Sequence, residues 1–166
     1  DVPPDYLSFY EKNLITKKLK KNSIKLNNKI LHQSKLLNYF LEKEDLTKVE
    51  KQTNDLLKKI KKNKDYYFSK EDMMLLESLK SDGLVISNKY KKIYDPEEAR
   101  IPPDIQLLIK NKETGLILLR LVEIIGEDDL VKLDTDSIYF IIDILNKLDM
   151  DNLRNDFLLK VLPLKV

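Results

Sequence analysis

Cysteine is absent from the 166 residues, which excludes disulfides, thiolate nucleophiles and zinc–thiolate centres. Its absence fits any compartment, so it assigns no localisation. Tryptophan is absent too, and there are only three glycines and six prolines. An all-β chain needs a turn every few residues, so that scarcity points away from β folds. Arginine is rare: three of the 30 basic residues, with none in the first 70 positions. Forked recognition of bases and phosphates favours arginine, so specific nucleic-acid readout lacks its usual donor there. There is one histidine, His32. The longest apolar stretch, residues 116–125, is interrupted by Arg120 and Glu123. A membrane span needs about 20 apolar residues, and none is present. No secretory signal pattern is visible either.

What remains is a chain that is 42% hydrophobic and 35% charged, the composition of a globular protein with a heavily charged surface. Its charge is polarised. Residues 1–70 carry 17 lysines against 9 acidic residues, and residues 71–166 carry 13 basic against 19 acidic. Such a chain either attracts its own other half or offers a basic arm to an anionic partner. The chain begins at Asp1 and not at methionine, which points to a piece of a longer protein.

A weak echo recurs at 32 residues. Asp72-Met73-Met74-Leu75-Leu76 returns as Asp104-Ile105-Gln106-Leu107-Leu108. Ser81-Asp82-Gly83-Leu84-Val85-Ile86 returns as Glu113-Thr114-Gly115-Leu116-Ile117-Leu118, and Asp136 opens a third candidate copy. An apolar segment, a glycine turn and a second apolar segment describe a helical hairpin, and stacked hairpins make α-solenoids. The tetratricopeptide pattern, with its period of about 34, is not matched.

The segments can be placed by their ends. Pro3-Pro4-Asp5 suits a helix start, followed by an amphipathic stretch with Tyr6, Leu7, Tyr10 and Leu14. Residues 23–41 and 45–62 are expected to form an antiparallel, coiled-coil-like hairpin, the latter with Leu46, Val49, Thr53, Leu56 and Ile60 on one face. Ser69 and Asp72 have the spacing of a capping box ahead of a helix that ends near Gly83. Residues 84–94 are expected to be its helical partner. Asp95-Pro96 and Pro102-Pro103 break the chain. Helices follow over 103–110, over 115–125 with Thr114 as cap and Gly126 as stop, from Asp134 or Asp136 to about 148, and over 151–162 before Pro163. The densest core is expected in the C-terminal half: Leu107, Leu108, Leu118, Leu119, Leu121, Val122, Ile125, Ile138, Ile141, Ile142, Leu145, Leu158 and Leu159.

No catalytic constellation stands out. His32 has no second histidine or cysteine to share a metal and lies in a lysine- and asparagine-rich stretch, so it reads as a surface or partly packed residue. Asp134, Asp136, Asp149 and Asp151 read as helix caps, because a calcium loop would need oxygen where Ile138 and Leu153 stand. Arg120 and Glu123, three apart, read as an ion pair on one face that can also line a groove, and Asp143 with Lys147 reads the same way. Lys17, Lys18, Lys20, Lys21, Lys58, Lys59, Lys61 and Lys62 are candidate contacts for an anionic partner, with a solvated helix face as the plain alternative. Tyr90 and Tyr94 join Arg120 and Glu123 as candidate protein-partner groove residues, since tyrosine buries area yet keeps a polar tip.

The sequence therefore predicts an all-α protein. Residues 1–68 are a basic helical hairpin region, and residues 69–166 are a short solenoid-like array of hairpins packed against it. The expected function is a non-enzymatic scaffold or adaptor binding another protein or subunit, as a piece of a larger helical-repeat protein. No cofactor is implied. The alternative is nucleic-acid or anionic-surface binding through the lysine-rich half.

Overall fold

The computed structural model describes residues 24–42, 45–90, 93, 101–126 and 129–162. The expected amphipathic stretch near the N-terminus, the lysines at 17–21 and the break at Asp95-Pro96 lie outside them. All regular structure among the described residues is helical. The helices are α1 (Asn38–Glu42), α2 (Leu46–Lys62), α3 (Lys70–Ser81), α4 (Pro103–Lys110), α5 (Thr114–Ile125), α6 (Thr135–Lys147) and α7 (Asp151–Val161), joined in part by short 3-10 turns.

Local chemistry explains most of the ends. Asp45 caps α2, its carboxylate accepting the Thr47 N–H at 2.9 Å. The expected capping box opens α3: Ser69 Oγ accepts the Asp72 N–H, and the Asp72 carboxylate accepts the Ser69 N–H, each at 3.2 Å. Asp134 caps α6 by accepting the Ser137 N–H at 2.9 Å. Pro103 begins α4, where a missing N–H costs nothing. For α5 the residue before the helix is Glu113, not Thr114, and no side chain caps it.

Three helices stop in the same way. Gly83, Lys112 and Asp149 follow α3, α4 and α6 with φ of 98°, 57° and 53°. In each case the next N–H reaches back five residues: Leu84 to the Leu79 carbonyl, Glu113 to Leu108, Met150 to Leu145, at 2.9, 2.9 and 3.0 Å. This is the left-handed turn that satisfies the last carbonyls of a helix. It also shows that the 32-residue echo is out of step. The counterpart of Gly83 is Lys112, whereas Gly115 lies in the first turn of α5.

Two expected helices are not formed as such. Residues 84–87 are non-helical and lead into a 3-10 turn at Asn88–Tyr90, so α3 has no helical partner directly after it. Residues 24–41 are not one helix but a loop, 3-10 turns at Leu31–Gln33 and Lys35–Leu37, and α1. The Asn28 carboxamide accepts from the Lys35 N–H at 3.2 Å and Ser34 Oγ from the Leu36 N–H at 3.3 Å. Short polar side chains that compete for the backbone in this way favour turns over helix.

The core is centred on α3, which packs mainly along α6, while α6 packs on α7 and α7 on α1. Met74, Leu75, Leu76 and Leu79 from α3 meet Ile138, Ile141, Ile142 and Leu145 from α6, with Leu158 and Leu159 from α7 in the same cluster. Leu31, Leu36, Leu37, Val49 and Leu57 are equally buried, so the core is not confined to the C-terminal half. Each such side chain contributes about 1.5–3 kcal/mol. Buried Thr53 donates its hydroxyl to the Val49 carbonyl at 2.8 Å, which lets a polar residue sit in the α2 seam. By contrast α4 and α5 pack chiefly on each other. Leu107 and Leu119, expected in the core, are exposed.

Candidate functional site

Two buried polar clusters and one apolar surface stand out. The first cluster surrounds Asp72, which is fully buried in the first turn of α3. Its Oδ1 accepts the His32 N–H at 2.9 Å and meets His32 Nδ1 at 2.7 Å. Its Oδ2 accepts the Tyr66 hydroxyl at 2.8 Å and the Ser69 N–H at 3.2 Å. The Tyr66 oxygen in turn accepts the Leu31 N–H at 2.9 Å. Burial, followed by the Asp72 charge and hydrogen bond, pushes the Tyr66 phenol well above its ordinary value, against the lowering effect of the Leu31 N–H.

A serine, a histidine and an aspartate thus come together, but not as a relay. A nucleophilic triad needs the carboxylate on one ring nitrogen and the hydroxyl on the other. Here Ser69 Oγ lies 3.4 Å from Nδ1, the nitrogen that Asp72 already holds, and it also caps α3. The cluster clips the Leu31–Gln33 turn onto α3. His32 is buried beside a fixed carboxylate, which corrects the expectation of a surface or partly packed histidine.

The second cluster surrounds Arg154 of α7, which is fully buried. Its NH2 donates to Asp82 at 2.7 and 2.9 Å, its Nε to Asn155 Oδ1 at 3.0 Å, and its NH1 to Asn146 Oδ1 at 3.1 Å. Asp151 Oδ1 lies 3.1 Å from NH1, and the guanidinium carbon stands 5.8 Å from the Phe40 ring centroid. Burial, then a hydrogen bond to Asp82, pushes the Tyr39 phenol up to about 12. The cluster ties together α1, the end of α3 and α7. The sequence reading missed it; its one signal was an arginine, one of only three, kept in a chain that mostly uses lysine.

The third feature is the outer face of the α4–α5 hairpin. Leu107 is 57% exposed, Leu116 49%, Leu119 53% and Ile124 40%. Ile117 and Leu121 of α5 are buried. Helical spacing puts Leu116, Leu119, Arg120 and Glu123 on one stripe turned away from the buried side, with Ile124 at its edge, seven residues after buried Ile117. Arg120 NH1 donates to Glu123 Oε2 at 2.7 Å within that stripe. That hydrogen bond, with the Glu123 charge behind it, raises the Arg120 guanidinium above its ordinary value. Asp143 and Lys147 pair at 2.5 Å on α6.

Of the other candidate residues, Lys58, Lys59, Lys61 and Lys62 are exposed at the end of α2, where the helix dipole favours cations. Lys61 Nζ donates to the Lys89 carbonyl at 3.3 Å. Tyr90 is buried, with Lys89 Nζ 5.0 Å above its ring, so it does not share a surface with Arg120 and Glu123. Lys17, Lys18, Lys20, Lys21 and Tyr94 lie outside the described residues. Asp134 caps α6, Asp136 pairs with Lys70, Asp149 adopts the left-handed turn, and Asp151 meets Arg154. No group of three metal-ligating side chains occurs among the described residues.

No protein-family model, no curated protein and no solved structure matches the chain. Fold and surface define the class: an all-α protein, with no described helix long and apolar enough to cross a membrane.

Proposed function

We propose that the chain is a non-enzymatic helical scaffold or adaptor that binds protein through the outer face of α4 and α5, within a larger array of helical hairpins. The observation that carries this reading is the exposed stripe of Leu116, Leu119 and Ile124 on α5, with Leu107 exposed on α4. Large aliphatic side chains gathered on one face are costly to leave in water and mark interaction surfaces. The polar groups most suited to chemistry, around Asp72 and Arg154, are engaged with one another, which supports a structural role for them.

The test is capture from native lysate with the wild-type chain and with Leu119→Lys, each repeated after nuclease and at raised salt. The reading expects a stoichiometric protein that survives both treatments and is lost with Leu119→Lys. Capture unchanged by that substitution overturns it. Capture that vanishes with nuclease and salt shifts the case to the exposed lysines at the end of α2.

A further inference from the structure

The α5 stripe is complementary to itself. Along it the order is Leu119-Arg120, then Leu121 and Val122, then Glu123-Ile124. Read outward from the midpoint between Leu121 and Val122, a cation answers an anion and an aliphatic side chain answers an aliphatic one. A two-fold axis beside α5, perpendicular to it and level with that midpoint, places a second helix antiparallel to the first. Arg120 then stands level with the second copy's Glu123, and Leu119 level with its Ile124. The interface is isologous, so each such pairing occurs twice. The Arg120–Glu123 pair already present within each copy becomes a ring of four alternating charges. A parallel arrangement would set arginine against arginine and glutamate against glutamate, so charge selects the antiparallel one.

We propose that α5 is the contact helix of a symmetric antiparallel homodimer, with Leu107 of α4 widening the apolar patch. This rests on the reading of the same face as a protein-binding surface, and it names the partner as a second copy of this chain. Burial elsewhere leaves the face available: Ile117 and Leu121 point inward, while the stripe stands exposed. Four aliphatic side chains and one ion pair per copy make a patch at or below the lower end of specific interfaces, about 1,200 Å² in total. The dimer is therefore weak and reversible, with a dissociation constant on the order of tens of micromolar.

Sedimentation velocity across about 1–500 µM tests this, a range chosen to bracket that constant. The wild-type chain should pass from monomer to dimer. Arg120→Glu alone and Glu123→Arg alone each place four like charges at the centre, and each should weaken the dimer by at least about tenfold. An equimolar mixture of the two should recover a heterodimer, and the double swap should recover a homodimer. Arg120 and Glu123 are both exposed, so far-UV circular dichroism should show unchanged folding in every variant. A wild-type chain that stays monomeric overturns the proposal. So do single variants that dimerise like the wild type, or a mixture that stays monomeric. If the wild type is monomeric, the Leu119→Lys capture separates the two ideas. Loss of another protein's binding would leave the adaptor reading standing, and unchanged capture would remove both.

Discussion

Asp72→Ala removes one side chain and leaves four donor groups without their acceptor. These are the His32 N–H at 2.9 Å, His32 Nδ1 at 2.7 Å, the Tyr66 hydroxyl at 2.8 Å and the Ser69 N–H at 3.2 Å. A buried donor left unmade costs about 1–3 kcal/mol, and the partly solvated ones cost less because water replaces the carboxylate. The expected loss is about 3–5 kcal/mol, a large part of the roughly 5–15 kcal/mol that holds a domain folded. With a urea slope of about 1–3 kcal/mol per molar, the midpoint should fall by about 2 M. Asp72→Asn keeps one acceptor oxygen but sets an N–H₂ against the remaining donors, so about half the loss is expected. Urea titration followed by far-UV circular dichroism gives both values. Hydrogen exchange locates the damage: the Leu31 and His32 amides, which end on Tyr66 and Asp72, should lose protection first. A cycle with Tyr66→Phe should return a coupling of about 1 kcal/mol. An Asp72→Ala protein within about 1 kcal/mol of wild type would refute the view that this cluster fastens the Leu31–Gln33 turn to α3.

Arg154→Met leaves partly buried Asp82 without its partner, and thermal unfolding should register a loss of about 3–5 kcal/mol; a loss below about 1 kcal/mol would count against the cluster. Tyr39 and Tyr66 should ionise late in an alkaline titration followed by ultraviolet absorbance. Their folded pKa values are raised, so the stability they contribute is complete below pH about 10 and is lost as pH rises through the folded values. Alkaline unfolding should begin in that window, and Tyr39→Phe should lessen its slope. Gly83→Ala should cost about 1–2 kcal/mol through its φ of 98°, since an added Cβ meets Leu46 Cδ2 at an ordinary 3.6 Å; an unchanged denaturation midpoint would contradict that.

What the sequence determined by itself was local. The Ser69–Asp72 capping box, the Asp45 and Asp134 caps, Pro103 at the start of α4 and Gly126 after α5 are each set by a few neighbouring residues. A helix end is closed by hydrogen bonds that span only a turn, so its signature is short-range. The all-helical class followed from the same punctuation. The 32-residue echo aligns apolar spacing and not backbone conformation. Gly83 and Gly115 align in sequence, yet one turns left-handed and the other lies within a helix.

Tertiary structure decided the rest. His32 reaches Asp72 across 40 residues, and Arg154 reaches Asp82 across 72. No spacing rule links positions so distant. Residues 84–87 and 24–37 carry enough apolar side chains for helix, but Leu84, Leu31, Leu36 and Leu37 are buried without one, next to turns docked on α2 and α3, while Val85 stays exposed. The exposure of α5 was likewise hidden. Its sequence is apolar on nearly every face, so periodicity cannot say which side is covered. Only the position of neighbouring helices does that, because burial belongs to a pair of surfaces and not to a residue.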